Sequence, residues 1–185
     1  MVHKKTNMDA EIILSLLCEQ PKHIRRIARE MSVAHSTVLR HVGKLVKENV
    51  LEVKEEGKNK AVSIKKTLPA KSHIMVAENY KLGRLIEQYP ELSIILKEII
   101  PIANSSLIIL FGSYAKFRAK QDSDIDIFVE TQNRKIREKL KLVDNRINAK
   151  IGEFDLGNNL IKEIIKSHVI IKGVERFYEK AGIFQ

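Results

Sequence analysis

FGSYAKFRAKQDSDIDIFVE, residues 111–130, puts Asp122, Asp124 and Asp126 within five positions of a chain whose net charge is +10. Side chains two apart on a strand project from the same face. Asp124 and Asp126 therefore share one face of a predicted strand, and Ile125 and Ile127 take the other. Asp122 belongs to the approach to that strand and is not expected to be a ligand. Two carboxylates held side by side repel each other unless a cation lies between them. Mg2+ suits the pair, because it takes oxygen ligands and shares its octahedral sphere with substrate phosphates. Two such ions can hold the attacking and leaving oxygens of an in-line displacement.

Gly112 and Ser113 stand ten residues upstream of Asp124, between an apolar run (SLIILF, a predicted buried strand) and a predicted helix that begins SYAKF. A turn from strand into helix exposes unpaired backbone N–H groups that attract phosphate. A glycine lets the backbone come close to a ligand, and Ser113 adds a hydroxyl donor. Lys116, Arg118 and Lys120 follow and carry charge suited to a triphosphate. Further on, residues 133–150 have Ile136, Leu140, Val143 and Ile147 in helical register. IGEFDLG reads as a strand with Glu153 and Asp155 on one face. Residues 159–170 read as a helix, and the final KGVERFYEKAGIF as a strand or short helix. Before the motif, Pro90 is expected to open an apolar helix and Pro101 to close it.

The spacing G-S-x10-D-x-D, with its bracketing strands and helix order, resembles the signature of the polymerase-beta-type nucleotidyltransferase superfamily. Within it, the minimal nucleotidyltransferases (MNT) of prokaryotes are the nearest resemblance, over roughly residues 90–180. The resemblance implies that Gly112, Ser113 and Lys116 hold ATP phosphates and that Asp124 and Asp126 hold two Mg2+ ions. It implies a third carboxylate from a later strand, completing the metal site and helping to activate a hydroxyl. Asp155 is favoured for it, being flanked by Phe154 and Leu156, and Glu153 is the alternative. Phe117-Arg118 departs from the glycine and acid found in many relatives, which bears on the loop's shape.

The N-terminal third is the more basic part of the chain per residue, a charge balance that suits an anionic partner. Its pattern runs helix (apolar residues 12, 13, 16 and 17), helix (Ile24, Ile27, Ala28, Met31), tight turn, helix (Val38, Val42, Leu45, Val46). Ser36 or His35 is expected in the N-cap region of that third helix. Two strands follow near 50–55 and 60–65, joined at Gly57. This order resembles a winged helix-turn-helix DNA-binding domain over residues 8–66. The face opposite the valines carries Ser36, Thr37, Arg40, His41, Lys44 and Lys47. Arginine reads guanine edges in a major groove and lysines reach phosphates. Lys58 and Lys60 sit at the hairpin tip, where a wing meets the backbone.

Apolar residues make up 44% and charged residues 30%, the composition of a soluble globular protein. No apolar run reaches the length of a membrane span. Asp9 and Glu11 interrupt what would otherwise look like a signal peptide, and a cytoplasmic location is expected. The single cysteine, Cys18, excludes an internal disulfide and is expected in the core. The six histidines show no metal-ligand spacing. Tyr114 and Tyr178 are expected in the core.

The fold class expected is α+β or α/β: a winged helix-turn-helix domain (1–66), a helical linker or dimer contact (67–89) with Met75, Leu82 and Ile86 on one stripe, and a minimal nucleotidyltransferase domain (90–185) with a small mixed sheet. The function expected is AMP transfer from ATP to a hydroxyl. By resemblance to MNT–HEPN toxin–antitoxin pairs, the acceptor would be a HEPN-type partner protein, and double-stranded DNA would be bound. The alternative is a regulator whose nucleotidyltransferase fold binds nucleotide without catalysis.

Overall fold

The computed structural model describes residues 6–56 and 59–184. The chain forms two compact units, one up to Tyr80 and one from Lys81.

The first unit contains α1 (Met8–Cys18), β1 (Lys22–His23), α2 (Ile24–Glu30), α3 (His35–Lys47), β2 (Leu51–Glu56), β3 (Asn59–Ile64) and the start of α4 (Leu68–Gln88). Asn7 caps α1 by accepting from the Ala10 N–H at 3.2 Å, and Asp9 and Glu11 place negative charge in its first turn. The three strands form an antiparallel sheet in the order β1-β3-β2. Ile12, Ile13, Leu16, Ile27, Val38, Leu45 and Val62 fill the core between helices and sheet. The side chain of Lys22 is buried and donates to the Ser15 carbonyl and to Glu30, both at 2.9 Å.

Several local expectations change. Ala34, not Ser36 or His35, caps α3. Val46 is 37% exposed, because Val38, Val42 and Leu45 already fill the buried stripe. Cys18 is exposed, since it ends α1 outside the face of Ile12, Ile13 and Leu16. In α4 the buried apolar residues are Ala70, Ile74, Ala77 and Leu85, which do not include Met75, Leu82 or Ile86 of the expected stripe, and Glu78 is buried with them. Gly57 and Lys58 lie outside the described residues.

The second unit continues with α5 (Glu91–Ala103), β4 (Ile108–Leu110), α6 (Gly112–Ala115), β5 (Ile125–Glu130), α7 (Ile136–Val143), β6 (Ile147–Gly152), α8 (Asn159–Lys166), β7 (Val169–Lys172) and α9 (Val174–Lys180). Its sheet runs β6-β5-β4-β7. β5 and β6 are parallel, with α7 as the crossover a parallel pair requires, and the other pairs are antiparallel. The small mixed sheet is therefore present. Ile125, Ile127 and Val129 of β5 pack into one core with Leu92, Leu96 and Ile99 of α5 and Leu140 of α7. Phe128 projects from the opposite face. It meets Phe154 edge-on at 6.2 Å, and Phe154 meets Phe177 of α9 at 5.3 Å.

Pro101 does not close α5, which continues to Ala103 and ends at Asn104 in a left-handed conformation. The helix expected over 133–150 ends at Val143. Asp144 turns the chain out by accepting from the Arg146 backbone N–H at 2.9 Å and pairing with its guanidinium at 2.8 Å. Ile147 then begins β6 instead of continuing the helix. β6 ends at Gly152, so Glu153 and Asp155 are not on a strand. β7 is a strand cut from the end of a predicted helix, and of the two forms expected for the C-terminus the helix is the one found. Among the described residues no helix is long and apolar enough to cross a membrane.

Candidate active site

β4 leads into the site and β5 leads out of it. Leu110 pairs with Ile127, and the Phe111 N–H donates to the Asp126 carbonyl at 2.9 Å. The chain then turns through Gly112, whose φ is +72°. That conformation disfavours any residue with a Cβ. The space does too, because a Cβ at Gly112 would run into the Asp126 carboxylate. Glycine here is thus required by close approach to an acid as well as by backbone conformation. α6 is a single turn, Gly112–Ala115, shorter than the helix expected from SYAKF. Ser113 is half-buried on that turn, and Lys116, Arg118 and Lys120 are exposed beyond it. Phe117, the departure noted in the sequence, takes a left-handed conformation (φ 55°). The Arg84 guanidinium lies over its ring at 5.4 Å.

Asp124 is exposed immediately before β5, and Asp126 is half-buried within it. Arg146 braces the loop that carries Asp124 by donating to the Gln121 carbonyl at 3.2 Å, while its own carbonyl accepts from the Ile125 N–H at 2.9 Å. Asp122 is exposed on the loop. Burial pushes the Asp126 carboxyl above the usual carboxylate range, and the neighbouring Asp124 charge adds to the rise. A hydrogen bond from Asn148 and the charge of Lys150 oppose the rise but do not cancel it.

Asn148 had no place in the sequence reading. It pairs with Asp126 in the parallel β5–β6 register, and its Nδ2 donates to Asp126 Oδ1 at 2.8 Å. Lys150, two positions on, shares that face. The only signal for β6 was the alternation Ile147, Ala149, Ile151, and a neutral amide carries no motif.

Asp155 and Glu153 do not join this group. The β5–β6 register ends at Glu130 and Gly152, and both acids lie past that end, at the opposite edge of the sheet from Asp124. The Asp155 carboxylate accepts from the Gly157 N–H at 2.9 Å, and Glu153 accepts from Gln132 at 3.1 Å. Both line a cleft of about 620 Å3 with Glu130, Arg176 and Lys180. Among the described residues, no three His, Cys, Asp or Glu side chains come together to hold a metal ion.

Residues 95–181 match the family model described as Polymerase beta, Nucleotidyltransferase. That stretch, just under half of the chain, resembles a nucleotidyltransferase domain. It spans β4 to β7 and includes Gly112, Ser113, Asp124, Asp126, Arg146 and Asn148. No curated protein and no solved structure matches the chain. The match supports a nucleotidyltransferase-type function, and a domain of that type implies a nucleoside triphosphate substrate.

Tyr114 and Tyr178 are both core residues. His168 is buried, with Nδ1 2.9 Å from the Ile164 carbonyl and its ring 4.3 Å from that of Phe177.

On α3, Ser36 and Arg40 are exposed, Thr37 is half-buried, and Lys60 is exposed on β3. His41 and Lys44 are engaged within the protein. His41 Nδ1 and Lys44 Nζ each lie 2.6 Å from a different oxygen of Asp9 in α1. Burial alone would raise the Asp9 carboxyl, but its bonds to Lys44 and His41 hold it below the usual range. The expected cationic face therefore contains an internal counter-charge.

Proposed function

We propose that the second unit transfers AMP from ATP to a hydroxyl acceptor, and that the first unit binds double-stranded DNA. The observation that carries the first part is the contact of Gly112 with the Asp126 carboxylate. It joins the turn suited to phosphate and the acid suited to a cation in one place. Gly112, Ser113 and Lys116 bind the leaving phosphates. Asp124 and Asp126 hold Mg2+, which when bound neutralises phosphate charge and polarises the reacting phosphorus. Asn148 orients Asp126, and Arg146 braces the loop that presents Asp124. With Asp155 past the end of β6, the acceptor's proton passes to solvent or to Asp124.

The order of three helices and a hairpin, with a cationic α3, supports the DNA-binding reading. The acceptor is a hydroxyl on a partner protein, a reading supported by the resemblance to MNT–HEPN pairs. The test is incubation with α-32P-labelled ATP, Mg2+ and the product of a neighbouring HEPN-like gene. Label on that protein, lost in Asp124→Ala, supports transfer; ATP binding with no label and no pyrophosphate released contradicts it. Asn148 beside Asp126, where a third carboxylate was expected, favours a second reading, a DNA-bound regulator that senses nucleotide without turnover.

A further inference from the structure

Asp126 has two neighbours in the sheet, and neither is acidic. On β6 its register partner is Asn148. On the β4 side the chain presents Phe111 and Gly112. A two-cation centre holds its ions about 3.5–4 Å apart, with anionic oxygens on both. A bridging carboxylate gives oxygen lone pairs to both ions. At Asp126 one oxygen, Oδ1, already accepts from Asn148 at 2.8 Å. A carboxylate only accepts, so Asn148 turns its NH2 toward Asp126 and its carbonyl oxygen away. The other oxygen, Oδ2, faces Gly112. Next along the same face of β6 stands Lys150, whose charge acts on Asp126. A second cation on that side would meet an amide donor and an ammonium in place of an acid.

We infer that this centre holds a single divalent cation with its nucleotide, and that Asn148 and Lys150 occupy the place of a second cation and its carboxylate. The inference rests on the nucleotide-binding reading proposed above. Asn148 is a positioning residue: it fixes Asp126 so that Oδ2 serves the one cation. Lys150 supplies, as a fixed ammonium, positive charge that a second ion would otherwise bring to the triphosphate.

The test is a Mn2+ titration of the full chain, followed by electron paramagnetic resonance, with the non-cleavable α,β-methylene analogue of ATP. The expected result is one bound Mn2+ per chain. Asn148→Asp, which adds a carboxylate at the register position, is expected to bring in a second. Lys150→Gln, at an exposed position, is expected to weaken analogue binding on the order of tenfold and leave the stoichiometry at one. Two Mn2+ ions per wild-type chain would overturn the inference and leave nucleotide binding standing. One ion in an Asn148→Asp variant with unchanged circular dichroism would overturn the role of Asn148. Absence of both analogue and Mn2+ binding would overturn the nucleotide reading and this inference with it.

Discussion

Asn148 Nδ2 donates to Asp126 Oδ1 at 2.8 Å across the parallel pair β5–β6. The bond takes one lone pair of Oδ1 and holds the orientation of the carboxylate. Asn148→Leu removes the donor while keeping the bulk. A half-buried carboxylate that loses its partner costs about 1–3 kcal/mol, so Mn2+ binding measured by isothermal titration calorimetry should weaken about 10- to 100-fold. Affinity unchanged from the wild type would mean that Asp126 does not depend on Asn148.

Gly112→Ala tests the close approach of the turn to the acid. The backbone conformation alone should cost about 1–2 kcal/mol, readable as a lower midpoint in urea unfolding. The added methyl also displaces the Asp126 carboxylate. Nucleotide binding should therefore fall by more than the stability loss explains, and should not return when the variant is assayed well below its unfolding transition. Recovery there would reduce Gly112 to a purely conformational role.

Glu130 ties the far end of β5 to α9 through Arg176 and Lys180, the latter at 2.7 Å. Burial alone would raise its carboxyl, but the bonds from Lys180 and Arg176 outweigh burial and hold it below the usual range. A depressed pKa in the folded state contributes stability that is present above the unfolded value and lost as pH falls through the folded one. Glu130→Gln should cost on the order of 1–2 kcal/mol at pH 7. The gap between variant and wild type should narrow in acid, below the ordinary glutamate pKa. A gap that stays constant from pH 7 into that range would show that the carboxylate's charge is not what α9 recognises.

Much of the second unit was legible, and the reason is local. Alternation in DIDIF marks a strand because one side must pack against α5 and α7 while the other carries acids. Asn148 was not legible, because Ile147 extends the helical spacing of Ile136, Leu140 and Val143 as well as it begins a strand. Asp144 and Arg146 decide the matter by a turn that periodicity does not register. Asp155 looked like a third acid because Phe154 and Leu156 flank it. Phe154 is indeed buried, but against Phe128 and Phe177, past the end of β6. In the first unit the helices and hairpin follow the apolar pattern closely. The hold of Asp9 on α3 joins residues 32 and 35 positions apart, a separation that helical periodicity does not span.

That hold makes a prediction for duplex binding. Asp9 engages Lys44 and His41, both of which the DNA-binding proposal assigns to the duplex. Asp9→Asn should free them, tighten binding to double-stranded DNA, and steepen its dependence on salt by roughly one counterion per added phosphate contact. Arg40→Ala combined with Lys44→Ala should do the reverse. Fluorescence anisotropy across a range of salt concentrations reads both. Identical slopes in all three proteins would remove α3 from the interface.

The central claim is that Gly112, Ser113, Asp124 and Asp126 form one cation-dependent nucleotide site. Its most direct test is calorimetric titration of ATP into the full chain, with Mg2+ and with EDTA, for the wild type and for an Asp124→Asn/Asp126→Asn double variant. The account predicts binding that requires Mg2+ and is lost in a double variant whose circular dichroism is unchanged. Binding of equal strength in EDTA, or in the folded double variant, would contradict it.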